Sequence, residues 1–152
     1  MDIPVGLKPG RIVWVNVLDT WNNPTEDHLA VILSSREAIE AGEPIAVVVI
    51  SSEFEIAPPE EQVMLPWQNC HGGHSLTHLY MNCAAMCGWY RKINSIEEIL
   101  SYEGVVPAYA LNTIKRKVEE RLKKLATLQT TPPASPAAPP PLKTPPALPP
   151  SQ

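Results

Sequence analysis

The cysteines and histidines of this chain are concentrated in one short segment. Cys70, His71, His74 and His78 fall within nine residues, on either side of a Gly-Gly pair. Thiolate sulfur and imidazole nitrogen are the ligands that Zn²⁺ prefers, and a Cys-x3-His-x3-His pattern could wrap one ion. The spacing matches no well-defined zinc finger, so we expect no metal and no other cofactor.

Two other interpretations of this segment stay open. It could be a polar loop over the mouth of a barrel. Alternatively, His74, Thr77 and His78 could line a groove that binds a ligand, because imidazole and hydroxyl groups both donate and accept hydrogen bonds.

Short β-branched stretches on both sides of this segment must position it. Each stretch is bounded by Gly, Pro or Asn, which is typical of strands joined by turns. Six consecutive apolar residues, 45–50, indicate a strand buried on both faces. The predicted strands are 12–17, 30–33, 45–50, 63–65 and 81–89, with a helical turn over 35–41.

The sequence after residue 94 predicts two helices. Ser95 and Glu98 form a capping-box pattern, and Gly104 is a natural stop for the helix that they would begin. Asn112 is the predicted cap of a longer helix, which has an apolar stripe of Ile114, Val118, Leu122 and Leu125. Short strands followed by terminal helices favour a mainly β fold with helical additions.

Proline dominates the end of the chain. Ten of the 21 residues from Pro132 to Gln152 are proline, which fixes φ and removes backbone donors. We therefore predict one folded domain over residues 1–128 and a disordered Pro-rich tail over residues 129–152.

Charge is unevenly distributed along the 152 residues. Residues 1–111 hold five Lys or Arg against fourteen Asp or Glu, and residues 112–128 hold six against two. An acidic body disfavours nucleic acid, because phosphate contacts dominate that affinity. The basic face of the last helix is either solvated or a contact for RNA or DNA.

The expected location is the cytoplasm, with no membrane contact. No apolar run approaches the ~18 residues of a membrane span, and no signal peptide is visible. Three cysteines, an odd number, favour free thiols.

Three early motifs resemble the MazF/PemK toxin family. They are Gly10-Arg11-Ile12-Val13-Trp14-Val15, His28-Leu29-Ala30-Val31-Ile32-Leu33-Ser34 and Val48-Val49-Ile50-Ser51-Ser52. The segments 73–79 and 83–89 are similar to a loop and strand of some PemK-like proteins. The resemblance covers roughly residues 8–125.

This resemblance implies an SH3-like barrel of about five to seven short strands that forms a homodimer. It implies a type II toxin–antitoxin toxin, an endoribonuclease that cleaves single-stranded RNA without metal and is bound by an antitoxin protein. The family's catalytic arginine and threonine positions fall on His28 and Ser51. The expected substrate-binding residues are Ser52, His74, Thr77 and His78.

The replacement of arginine by histidine alters the chemistry at this position. Arginine carries a permanent forked charge for phosphate, whereas His28 could act as an acid or a base near neutral pH. Ser51 keeps the hydroxyl of threonine. Two alternatives stay open: His28 is an ordinary polar residue beside Glu26 and Asp27, or the chain is a catalytically inactive homologue that binds a peptide or nucleic acid.

Overall fold

The structure is a computed structural model that describes Pro4, residues 6–17 and residues 26–130, with only the backbone for 128–130. The Pro-rich stretch after Thr130 and residues 18–25 lie outside these residues. The chain divides into two units, residues 1–120 and 121–152. The predicted domain boundary at residue 128 stays a prediction.

Six strands form one antiparallel sheet in the order β4-β5-β3-β2-β1-β6, so β4 and β6 are its edges. This confirms the predicted mainly β fold with a helical C-terminus. The elements are β1 (Arg11–Asn16), β2 (Asp27–Ile32), α1 (Arg36–Glu40), β3 (Ile45–Ser51), β4 (Gln62–Met64), β5 (Ala84–Ile93), β6 (Ile99–Val105) and α2 (Ala108–Thr130).

The helix predicted from Ser95 to Gly104 is wrong, and a strand takes its place. The capping pattern is present: Ser95 Oγ accepts from the Glu97 amide, and Glu98 Oε2 accepts from the Asn94 amide at 2.8 Å. It starts only one 3₁₀ turn, Ile96–Glu98. The backbone then enters β6, because pairing with β1 supplies its hydrogen bonds.

The last helix begins five residues earlier than predicted. It starts at Ala108, directly after Pro107, whose carbonyl accepts from the Leu111 amide at 3.0 Å. Asn112 is therefore an exposed residue inside the helix and not its cap. In the described residues no α-helix lies between β5 and α2. One α-helix therefore stands where two were predicted.

Each face of the sheet carries its own hydrophobic cluster. Alternation along β2 sends Ala30 and Ile32 to the first cluster and Val31 to the second. Helix α2 packs on the second cluster through Ala110, Ile114 and Val118. The same alternation assigns His28 to the face of the first cluster.

No helix among the described residues is both long enough and apolar enough to cross a bilayer.

Candidate functional site

A cavity of about 680 Å³ opens where the ends of several strands meet the loop before β5. Trp14 and Glu103 line it from β1 and β6. The ends of β2 and β3 contribute residues 26–29 and 50–53. The loop contributes residues 69–73, 78–81 and Cys83. His28, Ser51, Ser52 and His78, all predicted from the sequence as site residues, therefore share one cavity.

The ends of β2 and β3 bring His28 and Ser51 to one cavity. The two strands pair through Ala30 with Val49, Val31 with Val48, and Ile32 with Val47. His28 and Ser51 lie two residues beyond the last of these pairs, and both line the cavity. Strand β2 begins earlier than predicted, at Asp27, because residues 27 and 28 pair with β1.

Both of these side chains have a local contact as well. The His28 ring meets the Trp89 ring edge-on, with centroids 4.9 Å apart. Ser51 Oγ accepts a hydrogen bond of 3.0 Å from the Glu53 amide, which leaves its O–H available as a donor elsewhere. Ser52 is exposed beside it.

A second group of side chains joins β1, β6 and the loop. Trp14 Nε1 donates to Glu103 Oε2 at 3.2 Å, and His78 Nδ1 lies 4.0 Å from Glu103 Oε1. His78 has a φ of 64°, in the left-handed region that non-glycine residues rarely occupy. Glu103 and Trp14 were not predicted as site residues, and no local signal links positions so far apart in sequence.

Close backbone packing fixes the position of this loop. A Cβ on Gly73 would overlap the carbonyl oxygen of His78, and a Cβ on Gly104 would overlap that of Leu76. Val105 also donates its amide to the Leu76 carbonyl at 3.0 Å. The loop is thereby held against β6, which places His78 beside Glu103.

Two predicted substrate-binding residues lie outside the cavity. Thr77 is fully buried; its hydroxyl donates to the Pro66 carbonyl at 2.7 Å and accepts from the Leu79 amide at 3.1 Å. His74 Nδ1 accepts from the amide of Leu76 at 3.1 Å. Both side chains therefore stabilise the loop from within.

The zinc hypothesis for this loop finds no geometric support. Among the described residues, no three His, Cys, Asp or Glu side chains are grouped so that they could hold a metal ion. The Cys70 thiol instead donates to the Gly73 carbonyl at 3.3 Å.

Carboxylates dominate the charge of the cavity. Glu26, Asp27, Glu53 and Glu103 line it, and the described lining residues include no Lys or Arg. Positive charge can come only from His28, His71 and His78 among these residues. The described lining is therefore acidic unless the imidazoles are protonated.

The sequence explains this absence of cations. From Ile12 to Tyr90 the one Lys or Arg is Arg36, against ten Asp and Glu. Arg36 Nη1 donates to the carbonyls of Pro4 and Leu7, away from the cavity lining. Arg11 is also committed, since it donates to the backbone carbonyls of Gly6 and Glu103.

The two buried thiols, Cys83 and Cys87, are chemically quiet. Burial raises the pKa of Cys83 and that of Cys87 from 9.0 to about 11. At Cys87, Lys117 lowers the pKa and Glu61 raises it, both by less than burial does. A neutral thiol is a poor nucleophile, so neither is suited to covalent chemistry near neutral pH.

No protein-family model matches the sequence, and no curated protein matches it either. Solved structures do match. The chain is similar to MazF (Form-I) from Deinococcus radiodurans, with a TM-score of 0.58 and 15% identity over 81% of this chain and 99% of that one. It is also similar to MazE-MazF (Form-III) from the same organism, with a TM-score of 0.55 and 16% identity over 80% of this chain and 98% of that one.

At 15–16% identity these structural matches establish the fold alone. The chemistry must be argued from this chain's own residues. The expected resemblance is thereby confirmed at the level of architecture, and the chain has a MazF-like fold.

Proposed function

We propose that this protein is the toxin of a type II toxin–antitoxin pair and that it cleaves single-stranded RNA without a metal ion. The observation that supports this most directly is that His28, near the start of β2, and Ser51, at the end of β3, line one cavity in a MazF-like fold.

The chemistry follows from these two side chains. Neutral His28 takes the proton of the ribose 2′-hydroxyl, and the 2′-oxygen attacks the adjacent phosphorus. The bond to the 5′-oxygen breaks, and that oxygen receives a proton from an imidazolium or from water. The products are a 2′,3′-cyclic phosphate and a 5′-hydroxyl. Ser51 donates a hydrogen bond to a non-bridging phosphate oxygen, which stabilises charge in the transition state.

Cleavage by this site is expected to be slow and pH-dependent. No permanent cation among the described lining residues offsets the phosphate charge, so stabilisation comes from hydrogen bonds and from protonated imidazole. Ser52, next to Ser51, and His78, beside Glu103, would contact the RNA strand.

Purified protein and a mixed-sequence single-stranded RNA in EDTA test the proposal. Discrete fragments ending in a cyclic phosphate are expected. His28→Ala should reduce the rate by about 10²–10⁴-fold, the range of general acid–base catalysis. Ser51→Ala should reduce it by about 10²–10³-fold, the cost of losing one hydrogen-bond donor to transition-state charge. His74→Asn is the matched control, because it changes a histidine outside the cavity and keeps a hydrogen-bond acceptor. Cleavage by His28→Ala at the wild-type rate would contradict the proposal.

The proposed assembly is a cytoplasmic homodimer that an antitoxin protein inhibits. The similarity to MazE-MazF complexes from Deinococcus radiodurans supports the antitoxin partner. Light scattering on the purified protein would measure the oligomeric state. Co-expression with the product of a neighbouring small reading frame should relieve any growth arrest that the protein alone causes.

A second candidate function has its own support. The four cavity carboxylates favour a catalytically inactive homologue that uses the same cavity to bind a peptide. Binding without cleavage, at every pH at which the protein is folded, would favour this candidate over the ribonuclease.

A further inference from the structure

We propose that the cavity binds an extended, arginine- or lysine-bearing segment of a partner protein. The inference rests on the cavity and holds for either candidate function. For a ribonuclease such a segment would be an inhibitor, and for an inactive homologue it would be the ligand.

The charge of the cavity is complementary to a basic segment. The carboxylates come from three parts of the fold: Glu26 and Asp27 at the start of β2, Glu53 after β3, and Glu103 on β6. They surround the cavity instead of following one helix or turn. Walls of one sign concentrate the electrostatic field in a cleft and attract the opposite charge. RNA would meet repulsion from the same groups.

The cavity also has aromatic side chains in its lining that suit a cationic side chain. Trp14 hydrogen-bonds to the Glu103 carboxylate at 3.2 Å, and Tyr80 is 63% exposed at the cavity. Guanidinium and ammonium groups bind to carboxylates and to the faces of Trp and Tyr, and arginine does both. Apolar Leu29, Ile50 and Leu79 would pack against the methylene groups of such side chains.

The size of the cavity and the rigidity of its walls also suit an extended segment. A volume of about 680 Å³ lies within the range of sites that enclose a small ligand or a few side chains. Glu103 is held by the Trp14 indole on a paired strand, and the opposing loop is locked onto β6 at Gly104. Preformed walls reduce the entropy cost of binding an extended segment.

Fluorescence anisotropy with defined peptides tests the proposal. The probe is a short, labelled Gly/Ser peptide with several arginines, used with the full-length protein at low salt. Two comparison peptides are used. One replaces each arginine with citrulline, its uncharged isostere, and the other replaces each arginine with glutamate. Binding of the arginine peptide alone is expected, as is weaker binding when the salt concentration rises.

Matched variants locate the binding site. Glu53→Gln with Glu103→Gln should weaken the arginine peptide about fivefold or more, since exposed and partly buried ion pairs each contribute modestly. Glu43→Gln with Glu97→Gln removes the same charge outside the cavity and should change the affinity less than about twofold. Equal losses in the two double variants would overturn the proposal, because the acidic body alone would then explain binding.

The citrulline peptide also decides. Equal binding of the citrulline peptide would overturn the inference, because the charge of arginine would then contribute nothing. The RNA cleavage assay is independent: cleavage without peptide binding defeats only this inference, and peptide binding without cleavage defeats only the proposed ribonuclease.

Discussion

The imidazole of His28 packs edge-on against the indole of Trp89, with the two ring planes inclined at 64°. Trp89 lies on β5 and is buried in the first hydrophobic cluster. The contact therefore ties the start of β2 to the core of the sheet. Such aromatic pairs contribute about 0.5–1.5 kcal/mol beyond the area that they bury. His28 accordingly has a structural contact in addition to the proposed chemical role.

Substitution of His28 by phenylalanine separates these two roles. His28→Phe keeps an aromatic ring against Trp89 but cannot transfer a proton. We expect near-normal thermal stability and loss of RNA cleavage, whereas His28→Ala should lose cleavage and about 1 kcal/mol of stability. Thermal unfolding and the cleavage assay measure the two effects. Full cleavage by His28→Phe would remove His28 from the mechanism.

Two adjacent glycines provide a matched test of the loop. Gly72 and Gly73 both have left-handed φ values, 83° and 71°. A Cβ on Gly72 meets no atom within 4 Å, whereas one on Gly73 would overlap the backbone at His78. Gly72→Ala should cost only the strain of that conformation, roughly 1–2 kcal/mol. Gly73→Ala should lower the free energy of unfolding clearly more, and denaturant unfolding measures both losses. Equal losses in the two variants would show that the loop moves away from the added Cβ without penalty.

Thr77 is predicted to act in stability and not in RNA contact. Thr77→Val keeps the shape but leaves the Pro66 carbonyl and the Leu79 amide without their buried partner. A loss of about 1–3 kcal/mol is expected. Thr77→Ser keeps the hydroxyl and loses one methyl group, which costs about 0.8 kcal/mol. A change in RNA affinity in Thr77→Ser at unchanged stability would return this residue to the binding site.

The sequence predicted the sheet well because its strands carry their own signals. Residues 45–50 are continuously apolar, and the observed β3 covers all six. The prediction failed after residue 94, where tertiary pairing overrode a local signal. The capping pattern at Ser95 is present, yet the segment forms β6 because its backbone pairs with β1. Motifs drew attention to His28 and Ser51, which both line the cavity, whereas Glu103 reaches it through the pairing of β6 with β1. No pattern in a single segment could predict that contact.

The three thiols should differ sharply in reactivity. Cys70 is exposed, whereas Cys83 and Cys87 are buried. A thiol-reactive disulfide reagent near neutral pH should modify Cys70 quickly and the other two only after unfolding. Cys70→Ser should abolish the fast phase. A fast phase that persists in this variant would mean that the sheet opens near β5.

Alkaline pH should destabilise the fold through the same buried thiols. Burial raises the pKa of both Cys83 and Cys87 to about 11, so the folded protein keeps them neutral where the unfolded chain ionises. Their contribution to stability is complete below the ordinary pKa of 9.0 and is lost as the pH rises toward about 11. Burial also raises the pKa of Tyr102, which acts in the same direction. The control is the double variant Cys83→Ala, Cys87→Ala: it should be less stable at neutral pH, because buried sulfur contacts are lost, but its stability should decline less steeply over this range. Urea unfolding across the pH series measures both slopes, and equal slopes would show that the thiols ionise without cost in the folded protein.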